Sequence, residues 1–237
     1  MIEISQVTKG FSTGCAEVKA VDNANLRVRP GEFVLILGRS GSGKSTLLGM
    51  LAGLIRPTSG SVRINGLDIG SLPEDKVAEL RSKEIGFVFQ FSGLIPTITA
   101  IENVMLPTLF CRTGPGSRTR ALELLKKVGL SERADAYPCT LSSGEMKRVA
   151  IARALINGPS ILIADEPTGD LDVDTEHEIM ELFLQLNREG TTIVMVTHSP
   201  ELGPYANKTY GMTKGLLVER TMSVPKPWLP EEKTREI

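Results

Sequence analysis

The sequence predicts an α/β fold: a core of mostly parallel sheet, with an antiparallel β-subdomain and a helical subdomain insertion. Three observations carry this. A glycine-rich loop, Gly38-Arg39-Ser40-Gly41-Ser42-Gly43-Lys44-Ser45-Thr46, stands between the apolar run 33–37 and the helix-compatible run 47–51. Three further apolar runs, at 85–89, 161–164 and 191–196, each lead into polar or charged residues, the pattern of strands buried on both faces. The segments on either side of the glycine loop instead alternate apolar and polar residues, as half-covered antiparallel strands do.

With 237 residues, 41% hydrophobic and 23% charged, the chain can bury a full core in no more than two lobes. Its net charge of −1 supplies no global basic field, so a nucleic-acid partner held by phosphate neutralisation is not expected. The start, Met1-Ile2-Glu3-Ile4, is strand-like and lacks the pattern of a signal peptide, and no apolar stretch is long enough to span a bilayer. Cys15, Cys111 and Cys139 are scattered without a Cys-x-x-Cys pair, which suggests a reduced compartment and no zinc site.

From residue 1 to about 30 the apolar positions alternate, most clearly at Ala24, Leu26 and Val28, giving antiparallel strands. Phe11, expected in the loop between them, is a candidate to stack on an adenine ring; a core phenylalanine is the other reading. In the glycine loop, Gly38, Gly41 and Gly43 let the main chain turn tightly and bring N–H groups against phosphate oxygens at the positive end of the next helix. Ser40, Ser42 and Thr46 complete that cradle. Lys44 is expected to reach the β- and γ-phosphates, and the Ser45 hydroxyl to ligate Mg²⁺. Val62 and Ile64 then lead to Asn65-Gly66, a hairpin turn signal, and on to Leu67 and Ile69.

The strand at 85–89 ends at Gln90, whose amide falls where α/β sheets bind ligands. From about 92 to 140 the chain reads as a helical insertion. Pro96, Thr97, Thr99 and Glu102-Asn103 punctuate its first part, Gly114-Pro115-Gly116-Ser117 breaks it, and Ala121, Leu124, Leu125 and Val128 recur at helical spacing before a capping Gly129.

At Leu141-Ser142-Ser143-Gly144-Glu145 a new helix opens, and Ser142 with Glu145 has the spacing of a capping box, leaving a helix start able to hold an anion. The strand at 161–164 ends in Asp165-Glu166. Paired carboxylates there are costly unless a cation or water uses them, so Asp165 is placed to hold Mg²⁺ and Glu166 to orient or deprotonate a water. The acidic loop through Asp172 and Asp174 suits the start of a helix whose inner face carries Ile179, Phe183 and Leu186; His177 on it reads as solvated. His198 follows the last buried strand and converges with Gln90 and Glu166 on the glycine loop.

Taken together, the glycine loop, Gln90, the segment 141–145 with Arg148 beyond it, Asp165-Glu166, the Asp172 loop and His198 resemble the nucleotide-binding subunit of ABC transporters, from about Ile2 to Val218. Phe87-Val88-Phe89-Gln90, Glu102-Asn103-Val104, Leu106-Pro107 and 164–169 look most like the lipoprotein-releasing and macrolide-exporter branch. The resemblance implies a P-loop NTPase core and an ATPase using ATP and Mg²⁺. It implies a single cassette over 1–222, with core and β-subdomain at about 1–91 and 141–222, a helical subdomain at about 92–140, and a tail at 223–237. It also implies a head-to-tail homodimer in which the segment with Ser142, Ser143, Gly144 and Glu145 serves the nucleotide across the interface, Asp172 also belongs to the nucleotide site, Phe11 stacks on adenine, Glu166 acts as general base, His198 holds the γ-phosphate in register and Gln90 couples Mg²⁺ to the helical lobe. A membrane permease subunit would be its partner, driven by ATP as an exporter or in lipoprotein release, and its place the cytoplasmic, inner face of the cell membrane. The alternative the resemblance leaves open is a regulatory ABC protein that signals through a membrane partner without transport.

The chain departs from that family's usual pattern at Ser143, Glu145, Met146 and Lys147, where glycine and three glutamines are usual, at Asp170 in place of asparagine, and at Ser199 in place of aspartate. Glu145 is expected to weaken closure on ATP, with Lys147 or Arg148 offsetting its charge, giving an active but slow ATPase. The proline-rich tail reads as flexible, or as an anchor through Trp228 and Leu229.

Overall fold

The computed structural model describes residues 1–13, 16–110 and 118–220. The Gly114–Ser117 break, Cys15, Cys111 and the tail with Trp228 lie outside the described residues.

Two long strands, β1 (Ile2–Thr13) and β2 (Ala16–Val28), pair antiparallel. On its other side β1 pairs with β4 (Ser59–Ile64), which turns through Asn65 and Gly66 into β5 (Leu67–Asp68), giving the order β2-β1-β4-β5. Both turn residues have positive φ, 49° and 83°, which matches the twist that a two-residue hairpin needs. Phe11 falls within β1, opposite Val18, and not in a loop before the second strand.

The main sheet has the order β10-β9-β3-β8-β7-β6. Its strands are β3 (Phe33–Leu37), β6 (Ile85–Val88), β7 (Ile161–Asp165), β8 (Thr192–Thr197), β9 (Lys208–Thr213) and β10 (Leu216–Arg220). All pairings are parallel except β9 with β10. Period-two alternation splits β3 between two cores. Phe33, Leu35 and Leu37 join the cluster built with the later helices, while Val34 and Ile36 join the cluster under α1 (Lys44–Leu51) and the antiparallel sheet.

The helices are α2 (Glu74–Glu84), α3 (Ala100–Met105), α4 (Arg118–Lys127), α5 (Ser143–Leu155) and α6 (Val173–Arg188). Thr99 and Glu102 cap α3 reciprocally, and Gly129, at φ 78°, follows α4. Ile101 and Val104 of α3 and Leu124 and Leu125 of α4 pack in one apolar cluster with β3 and α5. Asn103 is fully buried; its Oδ1 accepts from Ile95 N at 2.7 Å and its Nδ2 donates to the carbonyls of Ile95, Ile98 and Thr99, which holds the chain entering α3 in place. Parallel pairing brings the carboxyl ends of β3, β8, β7 and β6 to one edge of the sheet, where the candidate site lies.

Candidate functional site

The loop after β3 needs its glycines for measurable reasons. Gly43 has φ 105°, and a Cβ there would stand 2.0 Å from the Ala20 carbonyl oxygen; at Gly38 it would stand 2.5 Å from that of Met212. Lys44, 5% exposed, donates to Gly38 O at 2.7 Å and Arg39 O at 3.1 Å and reaches Glu166 Oε1 at 3.2 Å. The Ser42 hydroxyl is buried with no partner among the described residues. A buried hydroxyl, a buried ammonium and glycine-turned main chain at a helix start fit a phosphate group.

At the end of β7, Asp165 accepts a hydrogen bond from the Ser45 hydroxyl, yet burial pushes its carboxyl above the ordinary value, with the Glu166 charge adding to the rise. A cation beside Ser45 and Asp165 would relieve that cost. The Ser45 hydroxyl and the Asp165 carboxylate are hard oxygen donors, of the kind that fits a Mg²⁺ ion drawing further oxygens from nucleotide and water; among the described residues no group of three or more His, Cys, Asp and Glu could hold a metal ion.

Glu166 adopts φ 43°, a left-handed backbone that costs a non-glycine residue about 1–2 kcal/mol, and its N–H donates to Val196 O at 3.0 Å. Its Oε2 stands 2.7 Å from His198 Nδ1, beyond β8. Burial raises its carboxyl, but the hydrogen bonds and charges of His198 and Lys44 outweigh burial and hold it below the ordinary value. Residues 39–46, Gln90, Glu166 and His198 together line a cleft of about 680 Å³.

The segment 142–145 lies outside that lining. Ser142 Oγ accepts from Glu145 N at 3.2 Å while Glu145 Oε2 accepts from Ser142 N at 2.8 Å, so the capping box forms as expected. Ser143 sits in the first turn of α5 with no left-handed strain. Gly144 faces α6: a Cβ would lie 2.6 Å from Thr175 Cγ2. Asp172 caps α6, accepting from Thr175 N at 3.0 Å and from Thr175 Oγ1 at 2.7 Å. Phe11, 43% exposed, stands apart from the cleft lining with Lys9 Nζ 5.2 Å from its ring centre.

Three expectations need correction. The cation on Glu145 is Arg133, at 3.1 Å, because Lys147 reaches the Gln90 carbonyl and Arg148 pairs with Glu178. His177 is not simply solvated: its Nδ1 stands 2.8 Å from the Tyr205 hydroxyl. Phe89 ends up outside the buried strand, 48% exposed, and with Phe91, Phe110 and Arg153 lines a groove of about 900 Å³ beside the Gln90 loop. Arg153, Arg133 and the Lys147 contact carry no signal in the sequence, since each role depends on a distant carbonyl or carboxylate.

A family model described as "ABC transporter" matches residues 21–169. The chain is 42% identical over 98% of its length to the "Macrolide export ATP-binding/permease protein MacB" of Marinobacter nauticus, and the match spans 36% of that protein. It is 44% identical to the "Uncharacterized ABC transporter ATP-binding protein YvrO" of Bacillus subtilis, over 92% of this chain and 96% of the relative. Among solved structures, the dimeric post-hydrolysis state of the ATP-binding cassette MJ0796 bound to ADP and Pi superposes with a TM-score of 0.85 at 41% identity, covering 94% of this chain and 100% of that one. With the phosphate cradle, the strand-end carboxylates and the capped helix start all on one scaffold, the chain belongs to the ABC transporter family and is an ATP-binding cassette.

Proposed function

We propose that this cassette is the ATPase subunit of a membrane transport complex, that it closes on ATP as a head-to-tail homodimer, and that it drives a permease of exporter or lipoprotein-release type. The observation that carries the reading is Glu166, held ionised between Lys44 and His198 in a cleft walled by the phosphate loop. A carboxylate kept as an acceptor in such a place serves as general base on a water attacking the γ-phosphate. Lys44 exchanges its Glu166 contact for phosphate oxygens, and His198 keeps the base oriented. Ser45, Asp165 and Gln90 are the residues that would hold Mg²⁺, which when bound offsets charge on the transferring phosphoryl group.

Because Ser142, Ser143, Gly144, Glu145 and Asp172 lie outside their own cleft lining, they are assigned to the nucleotide across a two-fold interface, as the dimeric relative supports. Phe11, exposed on β1, is assigned to the adenine ring. The groove beside Gln90 receives a helix of the permease, with residues 92–140 acting as a helical subdomain. Among the described residues no helix is long and apolar enough to cross a membrane; as the ATPase partner of a permease, the subunit is assigned to the cytoplasmic face of the membrane.

The test is to incubate the purified chain with MgATP, alone and with membranes holding a candidate permease, while following phosphate release and molecular mass. ATP-dependent doubling of mass together with turnover supports the reading. A chain that binds ATP but releases no phosphate in either setting overturns it.

A further inference from the structure

Two cations of α5 reach across to a single stretch of main chain. Lys147, 4% exposed, donates from Nζ to Gln90 O at 2.5 Å and lies 3.4 Å from Phe89 O. Arg153 donates to Ser92 O at 2.6 Å and Gly93 O at 2.8 Å. Six helical residues rise about 9 Å, so the two grips lie less than two turns apart on α5 and hold the bent segment 89–93 to it at both ends. Among the described residues neither cation is ion-paired with a carboxylate.

Burial pushes the Lys147 ammonium below its ordinary value while the Asp170 charge pushes it back up, and burial lowers Arg153 as well. A buried cation spent on carbonyl oxygens is a poor device for stability alone, since an apolar side chain of similar volume is often neutral or better there. What it supplies is position. The bonds go to main-chain oxygens, so they place the loop without engaging the Gln90 side chain, which belongs to the cleft.

We propose that Lys147 and Arg153 are positioning residues that lock segment 89–93 to α5, so that Gln90 moves with the helix beginning at Ser142 and not with β6, from which it emerges. The catalytic consequence rests on the reading of Gln90 as a nucleotide-site residue; the tether itself does not. Any displacement of the α5 start on closure is thereby delivered to the cleft as a displacement of Gln90.

The test uses the full chain with Lys147→Met, Lys147→Arg and Arg153→Met. Amide hydrogen exchange without nucleotide reads the tether directly. The expected result is exchange over 89–93 faster by roughly tenfold in both Met variants and restored in Lys147→Arg, with β6, α5 and the thermal midpoint of Lys147→Met unchanged or improved. In steady-state turnover, Lys147→Met should lower kcat roughly ten- to a hundred-fold while KM for ATP stays near wild type. Unchanged exchange over 89–93 in both Met variants, or loosening that extends equally through β6 and α5, overturns the proposal. If exchange responds as expected but kcat does not, the tether stands and the role given to Gln90 fails; if wild type itself does not hydrolyse ATP, the proposed function fails and exchange still decides the tether.

Discussion

Lys44 Nζ and Glu166 Oε1 stand 3.2 Å apart, tying the cation of the phosphate loop to the carboxylate beyond β7. Glu166→Gln keeps the shape of that side chain but removes its charge and its basicity. The expected outcome is a fall in turnover of roughly 10²- to 10⁴-fold with ATP binding retained and the ATP-bound dimer longer-lived. Phosphate release and a nucleotide-binding titration on the same preparation check it; turnover near wild type would remove Glu166 from the role of base.

Ser142→Ala separates a local role from a proposed distant one. Losing the Oγ that accepts from Glu145 N costs about 1 kcal/mol of stability, a drop of roughly 2–4 °C in the thermal midpoint. On the composite-site reading the same variant also weakens ATP-dependent dimerisation, measured by light scattering. A lower midpoint with unaltered dimerisation would confine Ser142 to capping.

Glu79 in α2 accepts from Lys83 at 2.9 Å and from Lys76 at 3.1 Å, and the two cations hold its pKa down to about 2. The sign follows from linkage: a carboxyl depressed in the folded state stabilises fully above the ordinary value of 4.5 and loses that contribution as pH falls toward 2. The gap in urea midpoint between wild type and Glu79→Gln should therefore be present at neutral pH and narrow below 4.5. Being solvent-exposed, it should also shrink with added salt. A gap independent of pH would mean that the substitution acts through packing.

Two alanine substitutions in the phosphate loop should differ. At Gly41, φ is 74° but nothing lies within 4 Å of the added Cβ, so Gly41→Ala bears only the backbone cost, about 1–2 kcal/mol. At Gly43 the added carbon would stand 2.0 Å from the Ala20 carbonyl, so the loop must move away from β2. Gly43→Ala is expected to lose ATP binding outright and Gly41→Ala to retain it in weaker form, as equilibrium binding of a fluorescent ATP analogue would report. Equal affinities in the two variants would argue that the steric contact is easily relaxed.

Much of this molecule is legible in its sequence where a local cause is sufficient. The apolar runs of β3, β7 and β8 are buried on both faces and so announce themselves, Asn65-Gly66 encodes its own turn, and Ser142 with Glu145 encodes its own helix start. The α2 helix escaped because only Val77 on it is buried, leaving no apolar stripe to read. Strands β9 and β10 carry a weaker pattern, since β9 reads Lys-Thr-Tyr-Gly-Met-Thr with only two large apolar side chains and β10 is exposed along most of its length. The site residues at strand ends could be inferred from position in a parallel sheet, whereas the contacts of Arg133 with Glu145, His177 with Tyr205 and Lys147 with Gln90 join separate segments and leave no local pattern.

The order of the main sheet has a consequence for synthesis. Strand β8 lies between β3 and β7 but is the last of the three to leave the ribosome. Until residues 192–197 emerge, β3 and β7 lack the strand that pairs with both, β3 still awaits β9 on its other side, and the phosphate loop and Glu166 have no sheet to hold them together. Nucleotide can therefore assist only the finishing of the fold, and a nascent chain arrested before β8 is left with the adhesive strand edges that recruit chaperones or neighbouring chains.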